Sequence, residues 1–567
     1  MFITTTSKEL DDKKIGQLDI ILITGDAYID SPFSGVSVIA RVLEKEGYLV
    51  GIIGQPDVNS PKDITRLGEP RLFWGVTAGC IDSMVSNYTA LKKKRSDDDY
   101  TPGGINNKRP DRACMAYTNL IRKHFKNTRP IVLGGLEASL RRLSHYDYWN
   151  NKVRKSLLLD AKADILVYGM GERSIIQIAY ALSKEEPHTH IRGICYPSNQ
   201  LPTNVDDYIE LDDFNTVQGN KEAFTKFFKI FYENNDPVNA KGLFQKFDNR
   251  YVIQNPPSEY LETDELDEIY KLPFENDAHP YYKDMGNIKA METIKFSIST
   301  HRGCYGECNF CSIAVHQGRR IRSRSEKSIV NEAKSFLKNN DFKGRISNVG
   351  AATANMYMVD CTIKEKHGAC KNKRCMFPSI CKDLPLSHET QINLLNNLQC
   401  MPGIKQAIVA SGVRYDMIMA DKKFGDIYLE KLIKKHVSGQ MKIAPEHTSQ
   451  SVLELMGKPN ATVLKDFKNK FYNMTNKLNN KMFLTYYFIA AYPGCSYKEM
   501  HDLKRFVSSE LHLNPQQVQI FTPLPSTWAA VMYYTETNPF NNENLYVAKD
   551  PVQKRKQKDI LTQSFRN

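Results

Sequence analysis

The amino-acid sequence predicts an α/β protein in which an N-terminal doubly wound parallel sheet is followed by a partial (β/α)6 barrel. Short apolar runs alternate with amphipathic stretches up to about residue 214, the same alternation resumes after residue 290, and a polar, interrupted stretch separates the two. At 567 residues the chain exceeds one ordinary core of about 100 to 200 residues, so two large units are expected.

In the first part, residues 19–24, 50–53, 72–76, 130–133 and 163–168 read as buried strands, several closing on glycine. Between the first two, Val36, Ile39, Ala40 and Leu43 recur at helical spacing and the run ends at Gly47. This βαβ order implies a parallel sheet with ligands at the carboxyl ends of its strands. The loops at those ends include Gly25-Asp26-Ala27-Tyr28 and Gly134-Gly135-Leu136-Glu137, but neither a G-x-G-x-x-G nor a P-loop occurs, so no dinucleotide or ATP is inferred. Arg141, Arg142, His145, Tyr146, Asp147 and Trp149 form a row dense in hydrogen-bonding groups, suited to an oriented substrate or to a satisfied interdomain network. Residues 215–290 contain the breakers Asn234-Asn235-Asp236-Pro237, Asn255-Pro256-Pro257 and His279-Pro280 and read as a connector with some helix.

The second part, 291–540, offers six strands at 296–299, 345–349, 406–410, 441–444, 483–489 and 518–521. Ser325 is a plausible N-cap for a helix presenting Ile329, Ala333, Phe336 and Leu337 on one face. Six strands suggest an open barrel with its chemistry at the C-terminal mouth. Residues 541–567 read as a short basic tail.

Immediately after the first of these strands stand Cys304, Cys308 and Cys311 at C-x3-C-x2-C spacing. Three thiolates hold three irons of a 4Fe-4S cluster and leave the fourth open to a ligand. Zinc usually takes paired C-x2-C cysteines and a fourth donor. Seven of the 12 cysteines lie between Cys304 and Cys381, which points to metal or redox chemistry rather than disulfides in a cytosolic chain. Cys361, Cys370, Cys375 and Cys381, at C-x8-C-x4-C-x5-C spacing, could hold structural zinc or a second Fe-S cluster, or be free thiols. The remaining cysteines read as small apolar packing residues.

A hydrophobic content of 41 % with 25 % charged residues is that of a soluble globular protein, and the sequence shows neither an apolar run of membrane-spanning length nor a signal-peptide core. A cytoplasmic protein without membrane partners is expected. The net charge of +13 favours anionic partners only modestly over so long a chain. Basic runs at 92–95, 319–324 and 554–558 read as solvated faces or, for the second, as phosphate contacts, or equally as anchors of the following helix or partners of acidic residues.

The words around the cysteines carry a resemblance. Arg302-Gly-Cys-Tyr-Gly-Glu-Cys-Asn-Phe-Cys-Ser-Ile313, Gly-Val-Arg-Tyr-Asp at 412–416, Lys-Ile-Ala-Pro-Glu-His at 442–447 and Thr-Gly-Asp-Ala-Tyr at 24–28 resemble the YgiQ family of radical S-adenosylmethionine (SAM) proteins over nearly the whole chain. The resemblance implies a SAM-cleaving enzyme of unknown substrate, with a 4Fe-4S cluster on Cys304, Cys308 and Cys311, and an electron donor such as flavodoxin or ferredoxin. Cosubstrate-binding positions implied are Phe310, Gly350, Ser411, Arg414, Glu446, Pro493 and Gly494. It further implies a cobalamin-binding-like N-terminal domain. The D-x-H-x-x-G motif is missing, however, and Ser31 stands where family members have histidine, so the domain is read as lacking cobalamin. Residues 319–324 also resemble the basic segment of radical SAM methylthiotransferases, making an RNA-modifying enzyme the second reading; the same arginines equally suit the SAM carboxylate. A non-catalytic, metal-stabilised nucleic-acid-binding protein is the third.

Overall fold

The computed structural model describes residues 1–371, 373–515 and 518–563. The chain divides into two compact units, Met1–Tyr260 with Glu268–Lys295, and Leu261–Asp267 with the chain from Phe296 onward.

The first unit is built on a nine-stranded sheet. Its parallel core has the order Val50–Gly54, Ile20–Thr24, Phe73–Thr77, Ile131–Gly134, Ile165–Val167. Strand Ile20–Thr24 is buried at every position, as a sheet covered by helices on both faces requires. Helices Gly35–Lys45 and Glu172–Ser183 contribute Val36, Ala40, Leu43, Ile175 and Ile178 to one core cluster. Beyond Ile165–Val167 the sheet turns mixed: Ile194–Ser198 is antiparallel to it, followed by Arg250–Gln254, Gly242–Phe247 and Tyr208–Leu211. Thus residues 242–254, within the stretch read as a connector, form a hairpin of the main sheet. Gln245 and Gln254 are buried there, and each is hydrogen-bonded to a buried partner, Ser144 for Gln245 and Arg142 for Gln254. Polar residues that find such partners can be buried without an apolar pattern to announce them.

The second unit contains the expected parallel series. Ser297–Ser299 pairs with Asn348–Gly350, Arg345–Ile346 with Gln406–Ala407, and Gln440–Glu446 with Phe483–Ala490, which pairs in turn with Gln519–Ile520. A Val413–Ile443 bridge and the Val409 N–H to His436 carbonyl bond (2.7 Å) join the third and fourth strands. Ser325 caps Glu326–Phe336 by accepting from Ser328 N–H at 3.1 Å. Within the segment read as a basic tail, Pro551–Thr562 is a helix that buries Gln557, which accepts from Ala491 N–H and donates to the Cys495 carbonyl. Among the described residues no helix is long and apolar enough to cross a membrane.

Candidate functional site

The cysteine loop is the tip of a hairpin whose arms, His301–Arg302 and Arg322–Ser323, pair antiparallel. Gly303 sits at φ 85°, and a Cβ there would lie 2.0 Å from the Arg320 carbonyl, so the arms approach more closely than another residue would allow. The loop is pinned from three sides. Asn309 N–H donates to the Met456 carbonyl (3.0 Å), its side-chain amide to the Leu455 carbonyl (2.7 Å), and its own carbonyl accepts from Ala529 N–H (2.8 Å). Glu307, buried between two of the cysteines, pairs with Arg319 (2.8 Å) and Lys364 (3.0 Å). Burial opposes its charge, but those two cations prevail and hold the carboxyl below its ordinary range.

Around this loop the structure brings together most of the residues singled out in the sequence. Gly306 N–H donates to Cys304 Sγ at 3.3 Å, Thr353 Oγ1 lies 3.5 Å from the same sulfur, and Arg414 Nη1 lies 3.8 Å from Cys308 Sγ. Burial and the neighbouring Cys308 and Cys304 push the Cys311 thiol up to about 12. Lys458 lies 6.0 Å over the Phe310 ring, 3.6 Å from Glu446 and 2.7 Å from the Ala444 carbonyl. Phe310 meets Tyr492 edge to face, and Tyr492 donates to the Leu455 carbonyl at 3.1 Å. Glu446 ends its strand at φ 68°, where the ladder is irregular; its burial raises the carboxyl, against the pull of Lys458 and Arg414. That left-handed conformation is a costly one for a residue with a side chain.

Gly350 and Ser411 are neighbours at adjoining strand ends: a Cβ on Gly350 would stand 3.4 Å from Ser411 Oγ. Asn348 ties the two strands, accepting from Ala410 N–H (2.9 Å) and Ser411 N–H (3.0 Å) and donating to Ser411 Oγ (2.8 Å). Pro493 is buried, and Gly494, at φ 83°, packs against Leu455, where a Cβ would collide at 2.3 Å. This pair closes a turn beside Tyr492.

A chain of buried polar groups behind Arg414 has no signature in the sequence. The Arg414 guanidinium forks onto Asp416, with Nε 2.8 Å from one carboxylate oxygen. Asn355 holds its backbone, accepting from Arg414 N–H at 2.8 Å and donating to its carbonyl at 3.0 Å. The same amide donates to His388 Nε2 (3.1 Å), which leaves Nδ1 to carry the proton donated to Asp421 (2.8 Å). His388 stacks on Tyr428 at 4.6 Å. Burial opposes the Asp421 charge, but hydrogen bonds from His388 and Phe424 bring its pKa down to about 2.

These residues fit an iron-sulfur cluster in the chemistry of their donors: three thiols converge in a loop whose neighbours Arg414 and Lys458 are cations, as anionic thiolates require. Among the described residues no three His, Cys, Asp or Glu side chains converge on a point where a single ion would sit. A four-iron cluster does not need that arrangement, because each cysteine takes a different iron. For the second cysteine group the same observation gives no support to zinc. Cys361 and Cys375 share an apolar cluster with Tyr305 and Met376, and Cys304 and Cys381 pack against it; the Cys370 carbonyl accepts from Arg319 (3.2 Å).

The arginine run that could have contacted phosphates is buried and paired: Arg319 with Glu307, Arg320 with Glu365, Arg322 with Glu262 and Arg324 with Glu332. It fastens the cluster hairpin rather than presenting a basic surface.

A corrin does not fit the N-terminal switch point, between strands Ile20–Thr24 and Phe73–Thr77, because the protein's own side chains fill it. Arg109 bridges Asp26 (2.7 Å) and Asp98 (3.0 Å), all buried, and a Cβ on Gly79 would stand 2.3 Å from the Asp26 carboxylate.

Comparison with known proteins agrees with the fold. A family model described as Radical SAM N-terminal matches residues 2–297. A UPF0313 protein of Fusobacterium nucleatum subsp. nucleatum is 53 % identical over 567 residues, covering 100 % of this chain and 99 % of the relative. A UPF0313 protein of Thermotoga neapolitana is 46 % identical over 564 residues, covering 99 % and 98 %. Among solved structures, the radical SAM methyltransferase TsrM from Kitasatospora setae, with cobalamin and a 4Fe-4S cluster bound, is similar in fold (TM-score 0.50, 12 % identity, 91 % of this chain and 77 % of that one). The cobalamin-dependent SAM radical enzyme OxsB with aqua-cobalamin bound is similar to the same degree (TM-score 0.50, 13 % identity, 93 % and 57 %). With relatives of this identity over its full length, the chain belongs to the UPF0313 proteins, the YgiQ-like family of radical SAM proteins.

Proposed function

We propose that the protein is an enzyme that cleaves SAM reductively to start radical chemistry on a substrate of its own. The observation that carries this reading is the approach of the Arg414 guanidinium to Cys308 Sγ in the loop that also carries Cys304, whose sulfur meets Thr353 Oγ1 and Gly306 N–H. When bound, a cluster with one open iron supplies the electron that splits the SAM sulfonium into methionine and a 5'-deoxyadenosyl radical. The protein's own residues position and protect. Cys304, Cys308 and Cys311 would hold the metal. Arg414, fixed by Asp416 and Asn355, presents a guanidinium suited to a carboxylate, and so to the methionine end of SAM. Gly350 leaves room beside Ser411 for a ribose or amino group, and Phe310, Tyr492 and Glu446 wall the cavity against water. An electron donor such as flavodoxin or ferredoxin would be the partner, and the cytoplasm the compartment.

The test is anaerobic reconstitution with iron and sulfide, reduction with dithionite and chromatography for 5'-deoxyadenosine. Wild type should form it and Cys308→Ala should not. A wild-type protein that binds about four irons yet forms none would sink the proposal.

A further inference from the structure

The strands that end beside the cysteine loop carry a face that the mechanism above leaves unused. Gln440–Glu446 and Phe483–Ala490 run parallel, with Gln440 opposite Phe483 and Lys442 opposite Thr485. Successive side chains of a strand point to opposite faces of its sheet, so Met441, Ile443, Leu484 and Phe488 share one face, and all four are buried. The other face carries Gln440, Lys442, Phe483, Thr485 and Tyr487, and Thr485 Oγ1 donates to Gln440 Oε1 across it at 3.2 Å. There the covering stops. Phe483 is 61 % exposed and Tyr487 46 %, beside exposed Gln440 and Lys442. Single apolar residues in solvent are ordinary, but two aromatic rings aligned on one face with a cation between them form a pattern.

The spacing narrows what could lie there. Phe483 and Tyr487 are four residues apart, about 13 Å along a strand that rises about 3.3 Å per residue. Lys442 stands opposite Thr485, midway between the rings, and among the described residues it makes no ion pair. No acidic residue lies on this face from Gln440 to Ala444 or from Phe483 to Ile489. Ring, cation and ring follow the order of base, phosphate and base. Stacked bases stand about 3.4 Å apart, so rings about 13 Å apart suit bases splayed from a single strand and not those of a duplex. Gln440, and Gln519 opposite Ile489 on the adjoining strand, add exposed amides able to meet base edges. A peptide that added a strand to this sheet would do so in its plane and would leave the rings uncovered.

We propose that this face binds a single-stranded nucleic acid, with bases lying on Phe483 and Tyr487 and a phosphate on Lys442. The strand that carries Lys442 ends at Glu446, whose partner Lys458 stands over the Phe310 ring of the cysteine loop, so the face leads to the candidate site. The proposal rests on the radical SAM reading for the chemistry and names its substrate class; the binding itself needs neither cluster nor SAM.

Fluorescence anisotropy of the full chain with labelled oligouridylate and oligothymidylate octamers, a duplex of the same length and an uncharged peptide rich in Phe and Tyr tests it. A single-stranded octamer should bind, at least about tenfold more tightly than the duplex. A preference between the two octamers names the sugar. Phe483→Ala and Tyr487→Ala remove exposed rings, so the thermal midpoint should stay near that of wild type. Each should weaken binding about tenfold, or 1.4 kcal/mol, within the worth of one stacked base. Lys442→Gln should lower the slope of log affinity against log salt by about 0.7. No binding of either octamer tighter than about 100 μM, the weak end of non-specific binding, overturns the proposal. So do duplex binding as tight as that of the octamers, binding of the peptide alone, and octamer binding that none of the three variants alters. A chain that forms 5'-deoxyadenosine yet ignores both octamers would refute this proposal and leave the SAM-cleavage reading standing.

Discussion

Asn355→Ala tests the polar chain behind Arg414 most sharply. The substitution removes an acceptor from Arg414 N–H (2.8 Å) and a donor from both the Arg414 carbonyl (3.0 Å) and His388 Nε2 (3.1 Å), while Asn355 and His388 are each about 1 % exposed. A buried group left unsatisfied costs about 1–3 kcal/mol, and part of the loss relaxes, so about 3 kcal/mol in all is expected. With a denaturant slope of about 3 kcal/mol per molar urea, the unfolding midpoint of this unit should fall by roughly 1 M. The assay is anaerobic urea unfolding of the reconstituted protein, followed by SAM titration of the folded variant below its transition. SAM affinity should weaken as well, because Arg414 loses the backbone anchor that aims its guanidinium. A midpoint within about 0.2 M of wild type, less than 1 kcal/mol at that slope, would refute the reasoning.

Three further outcomes follow. Asp421→Asn should destabilise the same unit at neutral pH by about 1–2 kcal/mol: its side chain is 3 % exposed, but the charge is partly screened, so the full shift is not counted. Because its folded pKa is depressed, that contribution is complete above the ordinary value of 3.8 and is lost as pH falls through about 2, so wild type and variant should converge in acid unfolding. Arg324→Met leaves Glu332 buried and unpaired and should cost about 3–5 kcal/mol, read as a lower thermal midpoint. Gly79→Ala should cost about 2–4 kcal/mol in the N-terminal unit, combining a φ of 104° with a Cβ that meets the Asp26 carboxylate at 2.3 Å; unchanged stability would mean that the switch point is looser than drawn.

Much of the fold was legible because parallel strands buried on both faces must be written in continuous apolar residues. Ile20–Thr24 and Phe73–Thr77 announce themselves in this way, whereas the strands of the second unit, such as Gln440–Glu446, alternate exposed and buried residues and show instead by their period of two. The hairpin at 242–254 was hidden, since its buried glutamines look like loop residues until their partners are known. The arginine run was open to several readings, and the structure takes the one that pairs it with acidic residues, since four carboxylates spread from Glu262 to Glu365 bury it. Within the site, local words mark the cysteines, Arg414 and Glu446. Asn355, His388 and Asp421 stand in no recognisable word and are joined only by tertiary hydrogen bonds. Of the polar row at 141–149, only the structure separates Arg142, fully committed, from His145, which keeps a vacant nitrogen.

The measurement that bears most directly on the central claim is formation of 5'-deoxyadenosine from SAM by the reduced, reconstituted protein. Production by wild type, abolished in Cys308→Ala and reduced in Arg414→Ala with iron content retained, is the expected result. A fully iron-loaded wild type that forms no 5'-deoxyadenosine would contradict it.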